Sequence, residues 1–484
     1  MPHRTPATAS LLAACLLAGC ASTAGLPDAQ RVQTDSNVTA PATWQAAVPH
    51  GGSLAAMGQW WQQWGDSLLA ELLVAAQQDS PTLAAARTRI AQARAQLTGA
   101  QAASLPNVNA VAQASRGVQA PKAPVATSTS AGLQASWEID LFGGNRASAS
   151  AAQTRLDSAE LGWHEARVAV AVETAGAYYD WLSCQTSAAL TQSDAASRAE
   201  TARLAELTAK AGLNAPANAA LARASAAEAA SGLRSAQAQC DVKLKSIVAL
   251  TGLPEPDLRS KLQANMPVAQ GITAQTALFT IASVPADVLA QRPDIAAAQR
   301  AVAAASADAR AADARRLPIL SLNGSIAGAT LRQGGQSTEG ITWALGPIAL
   351  TVPLLDGGRN RANAQAAVAA YDEAVVALRG KARNAVREVE EALVNLDSTA
   401  QRSADVQTAA AGYQTALVAT QARYKAGLAS LVELEDARRS AVQSQQSQLA
   451  LSRERIAAWL ALYRAAGGGW TAQSALPALM PTPL

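Results

Sequence analysis

The sequence predicts a mainly α-helical protein that also carries a membrane β-barrel portion. Three observations support this fold class. Two proline-free stretches, 145–210 and 359–425, are rich in alanine and indicate helices far longer than a globular domain needs. Four short segments alternate apolar and polar residues with the two-residue period of a strand. The chain also repeats itself at an offset of 212 residues, so that each half reads helix, strand, strand, helix, helix.

The first twenty residues predict export. MPHRTPATASLLAACLLAGC has a basic start and an apolar stretch too short to span a bilayer, which predicts a signal peptide at 1–19. Leu17 to Cys20 resembles the bacterial lipobox, so we expect Cys20 to be lipidated and residues 20–79 to form a lipid-anchored N-terminal segment. Ala21, where Asp would retain the protein in the inner membrane, favours the outer membrane. An ordinary signal peptide that happens to contain a cysteine is the alternative.

Composition argues against several function classes. The 484-residue chain has a formal net charge of +3 and no basic run with interleaved aromatics, so we expect no nucleic-acid partner. Its three histidines, His3, His50 and His164, are scattered, and no nucleophile has a His and an acid at a recognisable spacing. We therefore predict no enzyme, no cofactor and no metal site. No later stretch has the roughly 18 uninterrupted apolar residues of a membrane helix, so a crossing would have to use strands.

Two copies of one pattern divide the rest of the chain. Pro81 and Pro106 bracket an Ala/Arg-rich segment in the same way as Pro293 and Pro318, and KAGL recurs at 210–213 and 425–428. We predict a first structural repeat at 80–252 and a second at 292–466, separated by a linker at 253–291 and followed by a C-terminal segment at 467–484. Each KAGL predicts the tip of a helical hairpin, at about 211–214 and 426–429, because Gly commonly ends helices in the left-handed conformation.

The alternating segments predict strands at about 106–116, 132–142, 318–328 and 341–355, joined by loops at 116–131 and 329–340 that are rich in Gly, Pro, Ser and Thr. A soluble sheet covered on one side is the usual alternative, but little sequence remains to cover these strands. Four strands cannot close a membrane barrel, since the smallest have about eight and an open edge in lipid leaves backbone groups unpaired. Several copies must therefore share one barrel.

Two cysteines of the first repeat lie level with each other in the predicted hairpin. Cys184 and Cys240 are each 28 residues from Gly212, and paired positions of an antiparallel hairpin are equally far from its tip. Export to an oxidising compartment favours a disulfide over two free core thiols. Rotation of either helix could still point the two side chains apart, and the sequence leaves that alternative open.

Several stretches together resemble the outer-membrane channel lipoproteins of tripartite efflux systems of the RND type, the TolC/OprM/NodT-type family. They are 60–86, SWEIDLFGG at 136–144, 284–322 with its RPDI, RYKAGLASLVELEDARRS at 423–440 and LYRAAGGGW at 462–470. The RPDI and GGGW motifs are specific, whereas the Ala-rich helices are not. The resemblance covers the whole mature chain and places the linker in the equatorial region of a TolC-like fold.

The resemblance implies a homotrimer whose twelve-stranded β-barrel in the outer membrane continues into a twelve-helix α-barrel in the periplasm. It also implies docking to a periplasmic adaptor (membrane fusion) protein and to an inner-membrane RND-type pump, without chemistry of its own. In such a barrel one face of each strand meets lipid and the other lines the pore. The expected lipid-facing residues are Trp137, Ile139, Leu141, Leu320, Leu322, Leu350 and Val352.

The same resemblance implies a periplasmic gate on the second repeat. Val432 and Asp436 match positions where relatives narrow the channel, and Tyr424 matches a nearby latch of the closed state. An acidic ring at this place would attract cations and repel anions. The alternative is that Glu433, Glu435 and Asp436 form a solvated helix face that pairs with Arg438 and Arg439.

The predicted function is an outer-membrane exit duct that passively conducts small molecules, such as drugs and toxic compounds, from a periplasmic adaptor and inner-membrane pump to the outside. An outer-membrane channel for type I protein secretion is the first alternative. A periplasmic coiled-coil scaffold lipoprotein is the second, and it would explain the helices and the lipid but not four matched amphipathic strands.

Overall fold

The structure is a computed structural model that describes residues 26–38, 40–46, 66–118, 124–272 and 285–470. The predicted signal peptide and the predicted lipidation residue Cys20 lie outside the described residues, as do 47–65 and 471–484. Fourteen elements follow one another along the described part of the chain: α1 (Ala29–Ser36), α2 (Ser67–Asp79), α3 (Pro81–Ala102), β1 (Asn107–Val118), β2 (Val125–Ile139), α4 (Gly144–Lys210), α5 (Pro216–Thr251), α6 (Glu255–Ile272), α7 (Pro285–Ala290), α8 (Pro293–Ala314), β3 (Ile319–Gln333), β4 (Gln336–Thr351), α9 (Arg359–Lys425) and α10 (Leu431–Ala465).

The order of elements is the same in both halves of the chain. Helix α3, strands β1 and β2 and helices α4 and α5 are followed later by α8, β3, β4, α9 and α10 in the same sequence. The two long helices α4 and α9 have 67 residues each. At about 1.5 Å per residue, each is roughly 100 Å long. Alanine-rich, proline-free sequence explains their length because no residue in them blocks the backbone hydrogen bonds.

Both hairpin tips close in the same way. Gly212 and Gly427 have φ angles of +74° and +72°, and the N–H of the following leucine donates to the carbonyl of Thr208 or Arg423 at 2.9 and 2.8 Å. This is the Schellman pattern that ends a helix on a left-handed residue. In the first hairpin the second helix, α5, begins with Pro216 at its first helical position. In the second hairpin the second helix, α10, begins directly after Ser430, whose side chain caps it.

The chain divides into two compact units. The first comprises the described residues up to Val38, those of Thr88–Leu161, and Ala296–Lys381; the second comprises the described residues of Thr39–Arg87, Gly162–Ile295 and Ala382–Leu484. Among the described residues, no helix combines the length and the apolar character that crossing a membrane requires.

The first unit contains one antiparallel sheet with the strand order β1-β2-β3-β4. The strands extend further than predicted, because most of 116–131 and 329–340 is strand rather than loop. Strand β2 begins at Val125, and β3 and β4 are joined by a turn of only Gly334 and Gly335, both at positive φ. The added stretches are rich in Thr and Ser, which suit a strand whose faces are both open, and Ser115 and Ser128 hydrogen-bond across β1 and β2 at 2.8 Å.

The prediction that Leu141 and Val352 lie in lipid-facing strands was wrong, because both residues follow the end of a strand. Leu141 follows the end of β2, where the carboxylate of Asp140 instead accepts the backbone N–H groups of Asn145 and Arg146 at the start of α4. Val352 follows the end of β4, because the next residue, Pro353, has no N–H to continue the ladder.

Helix α1 packs within the first unit through charged side chains. The Asp28 carboxylate caps its first turn by accepting the Arg31 N–H at 2.6 Å. Asp35 accepts hydrogen bonds from the hydroxyl of Tyr371 and the guanidinium of Arg379, both at 2.9 Å. The first part of the predicted N-terminal segment is thus fastened to α9.

The main apolar core lies in the second unit. It includes Trp44, Leu69, Leu72, Tyr178 and Trp459, contributed by the N-terminal segment and by α2, α4 and α10. A buried hydrogen bond from the Tyr178 hydroxyl to the carboxylate of Asp66, 2.5 Å long, crosses this core, and the same carboxylate caps α2. A disulfide joins Cys184 of α4 to Cys240 of α5, with their Cα atoms 5.5 Å apart.

The two motifs singled out in the sequence are neighbours in the second unit. The buried guanidinium of Arg292, from RPDI, donates to the carboxylates of Asp294 and Glu388 and to the carbonyl oxygen of Ala465, each at 2.8 Å. These contacts hold the pKa of Arg292 above its usual value, against the effect of burial. Ala465 directly precedes the turn that contains GGGW.

The first glycines of GGGW are required by close packing. Gly467 has a φ of +85°, and a Cβ added to it would overlap the carbonyl oxygen of Gln291. A Cβ added to Gly468 would overlap the side chain of Val168. The RPDI and GGGW motifs therefore form one joint, where the start of the second repeat packs against its end.

We expect Gly467→Ala to destabilise the protein by about 2 kcal/mol more than Gly212→Ala. Both glycines have a positive φ, so both alanines carry the same backbone strain, but the space around Gly212 is open. Thermal unfolding of the purified protein in detergent, followed by the helical circular dichroism signal, measures the difference. Equal losses for the two variants would contradict the close packing.

Candidate functional site

The sheet of the first unit has one apolar face. Residues paired directly across strands point to the same face, so Ile139, Leu320 and Leu350 form one row of side chains. The next row consists of Trp137, Leu322 and Ile348. Three further rows continue it, and they contain Val108 and Leu345, then Leu133, Ile326 and Trp343, and then Ile341. The five predicted residues that lie in strands therefore share one face, together with others that the sequence had not singled out.

This apolar face is open. Ile341, Trp343 and Leu345 are 78%, 76% and 80% exposed. Side chains of this size are normally removed from water, and a continuous exposed patch of them marks a surface that another apolar phase covers. Five rows cover about 27 Å along the strands, which at a tilt of about 40° is about 21 Å along the membrane normal and comparable to the apolar band of roughly 25 Å on membrane barrels.

A bulge keeps the apolar residues of β4 on one face. Ile341, Trp343 and Leu345 occupy odd positions, whereas Ile348 and Leu350 occupy even ones, so simple alternation would put the two groups on opposite faces. The register shifts by one residue opposite Asn323, where β4 contains Gly346 and Pro347. The extra residue restores the phase.

The opposite face of the sheet consists mostly of polar and small residues. Its rows include Asn109, Gln134 and Ser325 in one position and Gln113 and Ser130 in another. Small residues such as Gly132 and Ala327 separate them. A sheet with an apolar face and a polar face can separate lipid from an aqueous lumen.

Both outer strands of the sheet have a free edge. Strand β1 pairs only with β2, and β4 only with β3, within the part of the chain that the structure describes. An edge of this length presents a row of unpaired N–H and C=O groups.

The predicted gate residues lie near the second hairpin tip and differ in their surroundings. Tyr424 is half-buried and packs against a small cluster that contains Ala202, Ala205 and Leu431. Val432 is 56% exposed. Asp436 is exposed, and its carboxylate accepts a hydrogen bond from Arg439 at 2.9 Å. The structure thus places Tyr424 against the first hairpin and leaves Val432 and Asp436 facing outward from α10.

The alternative of a solvated acidic face was wrong for one of its three residues. Glu433 is exposed and completes a capping box with Ser430, whose backbone N–H lowers the pKa of the carboxyl. Asp436 pairs with Arg439, as that alternative expects. Glu435, however, is buried between the two hairpins.

Glu435 is the centre of a buried polar cluster in the second unit. Its carboxylate accepts hydrogen bonds from Arg198 at 2.7 Å, from the Ser225 hydroxyl at 2.7 Å and from Arg438 at 2.8 Å. Arg438 also donates to the hydroxyl of Thr201 at 2.8 Å. The cluster joins α10 of the second hairpin to α4 and α5 of the first.

The sequence carries a signal for this cluster that had been missed. Leu431, Leu434, Arg438 and Ala441 are spaced as one face of a helix, and all four are buried. Arg438 therefore falls on the stripe of α10 that packs inward, and Glu435 adjoins it, whereas Asp436 and Arg439 fall outside it.

The described residues contain no group of three His, Cys, Asp or Glu side chains that could hold a metal ion. His164 is buried beside the rings of Trp163 and Trp470, with centroid distances of 5.1 and 6.2 Å, and burial lowers its pKa. His3 and His50 lie outside the described residues.

A sheet with one apolar face and helices of 67 residues are features expected of a membrane channel. Comparison with known proteins agrees. The profile of the outer membrane efflux protein family matches residues 72–253 and 284–468, and the chain belongs to this family. The family consists of efflux channels of the outer membrane, so the chain is an efflux channel component located in that membrane.

Individual relatives cover nearly the whole chain. The pyoverdine export outer membrane protein OpmQ of Pseudomonas putida is 30% identical over 453 residues, which are 90% of this chain and 93% of that protein. The outer membrane protein OprJ of Pseudomonas aeruginosa is 31% identical over 421 residues, which are 84% of this chain and 85% of that protein. The fold resembles the CmeC outer membrane channel of Campylobacter jejuni, with a TM-score of 0.77, 22% identity and coverage of 91% of this chain and 95% of that one.

We expect Glu435→Gln to weaken the contact between the hairpins by about 3 kcal/mol, because the buried guanidinium of Arg438 loses its carboxylate partner and the half-buried Arg198 keeps only that of Asp194. Hydrogen exchange at the amides of 194–201 and 431–438 measures this opening. Glu454→Gln in the same helix is the matched control, since Glu454 pairs with Arg402 on the surface; its effect is expected to be within about 1 kcal/mol of zero. Similar exchange in both variants would contradict a structural role for the buried cluster.

Proposed function

We propose that the protein is the outer-membrane exit duct of a tripartite efflux pump, which passively conducts small molecules from a periplasmic adaptor and an inner-membrane RND-type pump to the outside. The observation that carries the proposal is the sheet with five apolar rows on one face, each of which contains an exposed apolar side chain, and a mostly polar opposite face. A soluble scaffold has no use for such a surface. Membership of the efflux family supports the direction of transport.

The free edges of β1 and β4 support a shared barrel. In the hydrocarbon of a membrane every backbone N–H and C=O needs a partner, so these edges must pair with strands of other copies. Three copies would give twelve strands. The four hairpin helices of each copy, α4, α5, α9 and α10, would together give a twelve-helix barrel, in which shorter helices extend α5 and α10. This homotrimer is the arrangement that the resemblance implies.

The N-terminus supplies a second attachment. Lipidation of Cys20 would fix the start of the mature chain to the membrane, and α1, which begins nine residues beyond Cys20, is held to α9 by Asp35. An acyl chain together with a barrel gives two independent anchors, of which the barrel holds the protein by itself.

The inner-membrane pump, rather than the duct, is expected to select the substrate. The relatives are named for the export of pyoverdine, toluene and solvents, and a cation efflux system protein is among them. For this chain we propose drugs and toxic small molecules as the class, because the cargoes in the names of these relatives are small molecules and ions.

We expect Leu345→Arg to abolish assembly in the outer membrane and Ala344→Arg to permit it. The two residues are neighbours in β4 on opposite faces, and both are exposed. Leu345 lies in the middle apolar row, where an arginine facing lipid costs about 2–4 kcal/mol in each copy. Heat-modifiable migration of the membrane fraction, together with the amount of protein that resists carbonate extraction, measures assembly. Equal assembly of both variants would overturn the membrane assignment of this face.

A second prediction concerns the gate formed by Tyr424, Val432 and Asp436. Converging Asp436 carboxylates would restrict the lumen and favour cations, so we expect Asp436→Ala to raise single-channel conductance in planar bilayers and to reduce cation preference. Glu200→Ala is the matched control, because Glu200 is an exposed acid of the first hairpin with an arginine partner three residues on. Conductance and selectivity equal to those of the unaltered channel would remove Asp436 from the gate.

A further inference from the structure

Two arginines lie on the apolar face of the sheet, beyond one end of the apolar rows. Directly paired residues place Arg116 of β1, Thr127 of β2, Arg332 of β3 and Ser337 of β4 in one row. This row lies on the same face as the five apolar rows, two rows beyond the row that contains Ile341. The intervening row consists of Ala114, Thr129, Thr330 and Glu339.

The two arginines lie near each other on the sheet. Arg116 and Arg332 are separated by one strand, which puts their backbones about 10 Å apart. Both side chains are exposed, and neither guanidinium group makes a hydrogen bond or an ion pair with the residues that the structure describes.

The position of this row defines its surroundings. It lies at the end of the sheet that carries the Gly334–Gly335 turn, whereas α3, α4, α8 and α9 adjoin the other end. If the helices are periplasmic, as the proposed function requires, the arginine row faces the outer leaflet. It begins about 10 Å above the last apolar row, when the strand tilt is taken into account, and this is the depth of the lipid headgroups.

Arginine is suited to the phosphate groups found at that depth. Its planar fork of donors matches phosphate oxygens, and two forks about 10 Å apart can contact two phosphates of one headgroup or of neighbouring headgroups. Glu339 opposes this charge only in part, since it lies one row closer to the apolar band and leaves a net positive charge on the two rows.

We infer that Arg116 and Arg332 form a binding surface for the phosphorylated glycolipid of the outer leaflet, with the five apolar rows below them covered by its acyl chains. The inference rests on the proposed function, because it requires the apolar face to meet lipid. In a shared barrel the surface occurs once in each copy and surrounds the outer rim. It orients the barrel in the asymmetric bilayer and fixes its depth.

The test uses the full-length protein in dodecyl maltoside and measures the binding of diphosphorylated lipid A by native mass spectrometry. We expect binding that weakens by about tenfold for each arginine lost in Arg116→Gln, Arg332→Gln and the double variant, because each loses a charge-assisted contact. Arg89→Gln removes an exposed arginine of α3 with the same change in net charge and is the matched control. Glu339→Gln is expected to strengthen binding about twofold, since it removes the opposing charge.

Three outcomes would overturn the inference: equal binding by the double variant and the unaltered protein, equal binding of lipid A from which both phosphates have been removed, or displacement of lipid A by millimolar inorganic phosphate, which would indicate a site for the free ion. Single-channel recording of the unaltered protein tests the proposed function separately. A protein that conducts ions but ignores lipid phosphate overturns only this inference, whereas one that inserts no channel overturns the function itself.

Discussion

Backbone hydrogen bonding in a medium without water is the constraint on which the rest of the molecule depends. The sheet leaves one edge of β1 and one edge of β4 without a partner among the described strands, and each unpaired group would cost several kcal/mol in hydrocarbon. This constraint supports the proposal that several copies share one barrel. The apolar face, the polar face and the duplicated helices all make sense once the strands of several copies are joined.

Much of this architecture could be predicted from the sequence because it depends on local periodicity. Proline-free alanine-rich stretches gave α4 and α9, and the glycines at 212 and 427 gave both tips. The strand ends could not be predicted, since the Thr- and Ser-rich stretch after Val125 has the composition of a loop and becomes a strand only through pairing with β1 and β3. The full extent of the apolar face could not be predicted either, because the bulge at Gly346 and Pro347 changes the phase of alternation halfway along β4.

The acidic group on α10 shows a different limit. Glu433, Glu435 and Asp436 are nearly adjacent, yet they cap a helix, join two hairpins and face outward, respectively. Charge alone does not distinguish these fates, whereas the position of each residue on the helix surface does. The RPDI and GGGW motifs carry a related lesson. Their specificity in sequence reflects one joint, in which Arg292 satisfies a helix-end carbonyl and Gly467 leaves room for the backbone of Gln291.

The disulfide between Cys184 and Cys240 makes the two hairpins mechanically unequal. It joins the two helices of the first hairpin covalently, 28 residues from the tip, whereas the second hairpin contains no cysteine and its helices are joined by noncovalent contacts such as the Arg402–Glu454 ion pair. The second hairpin contacts the cross-linked first hairpin through the hydrogen bonds of Glu435. Separation or sliding of the paired helices is therefore more restricted in the first hairpin than in the second.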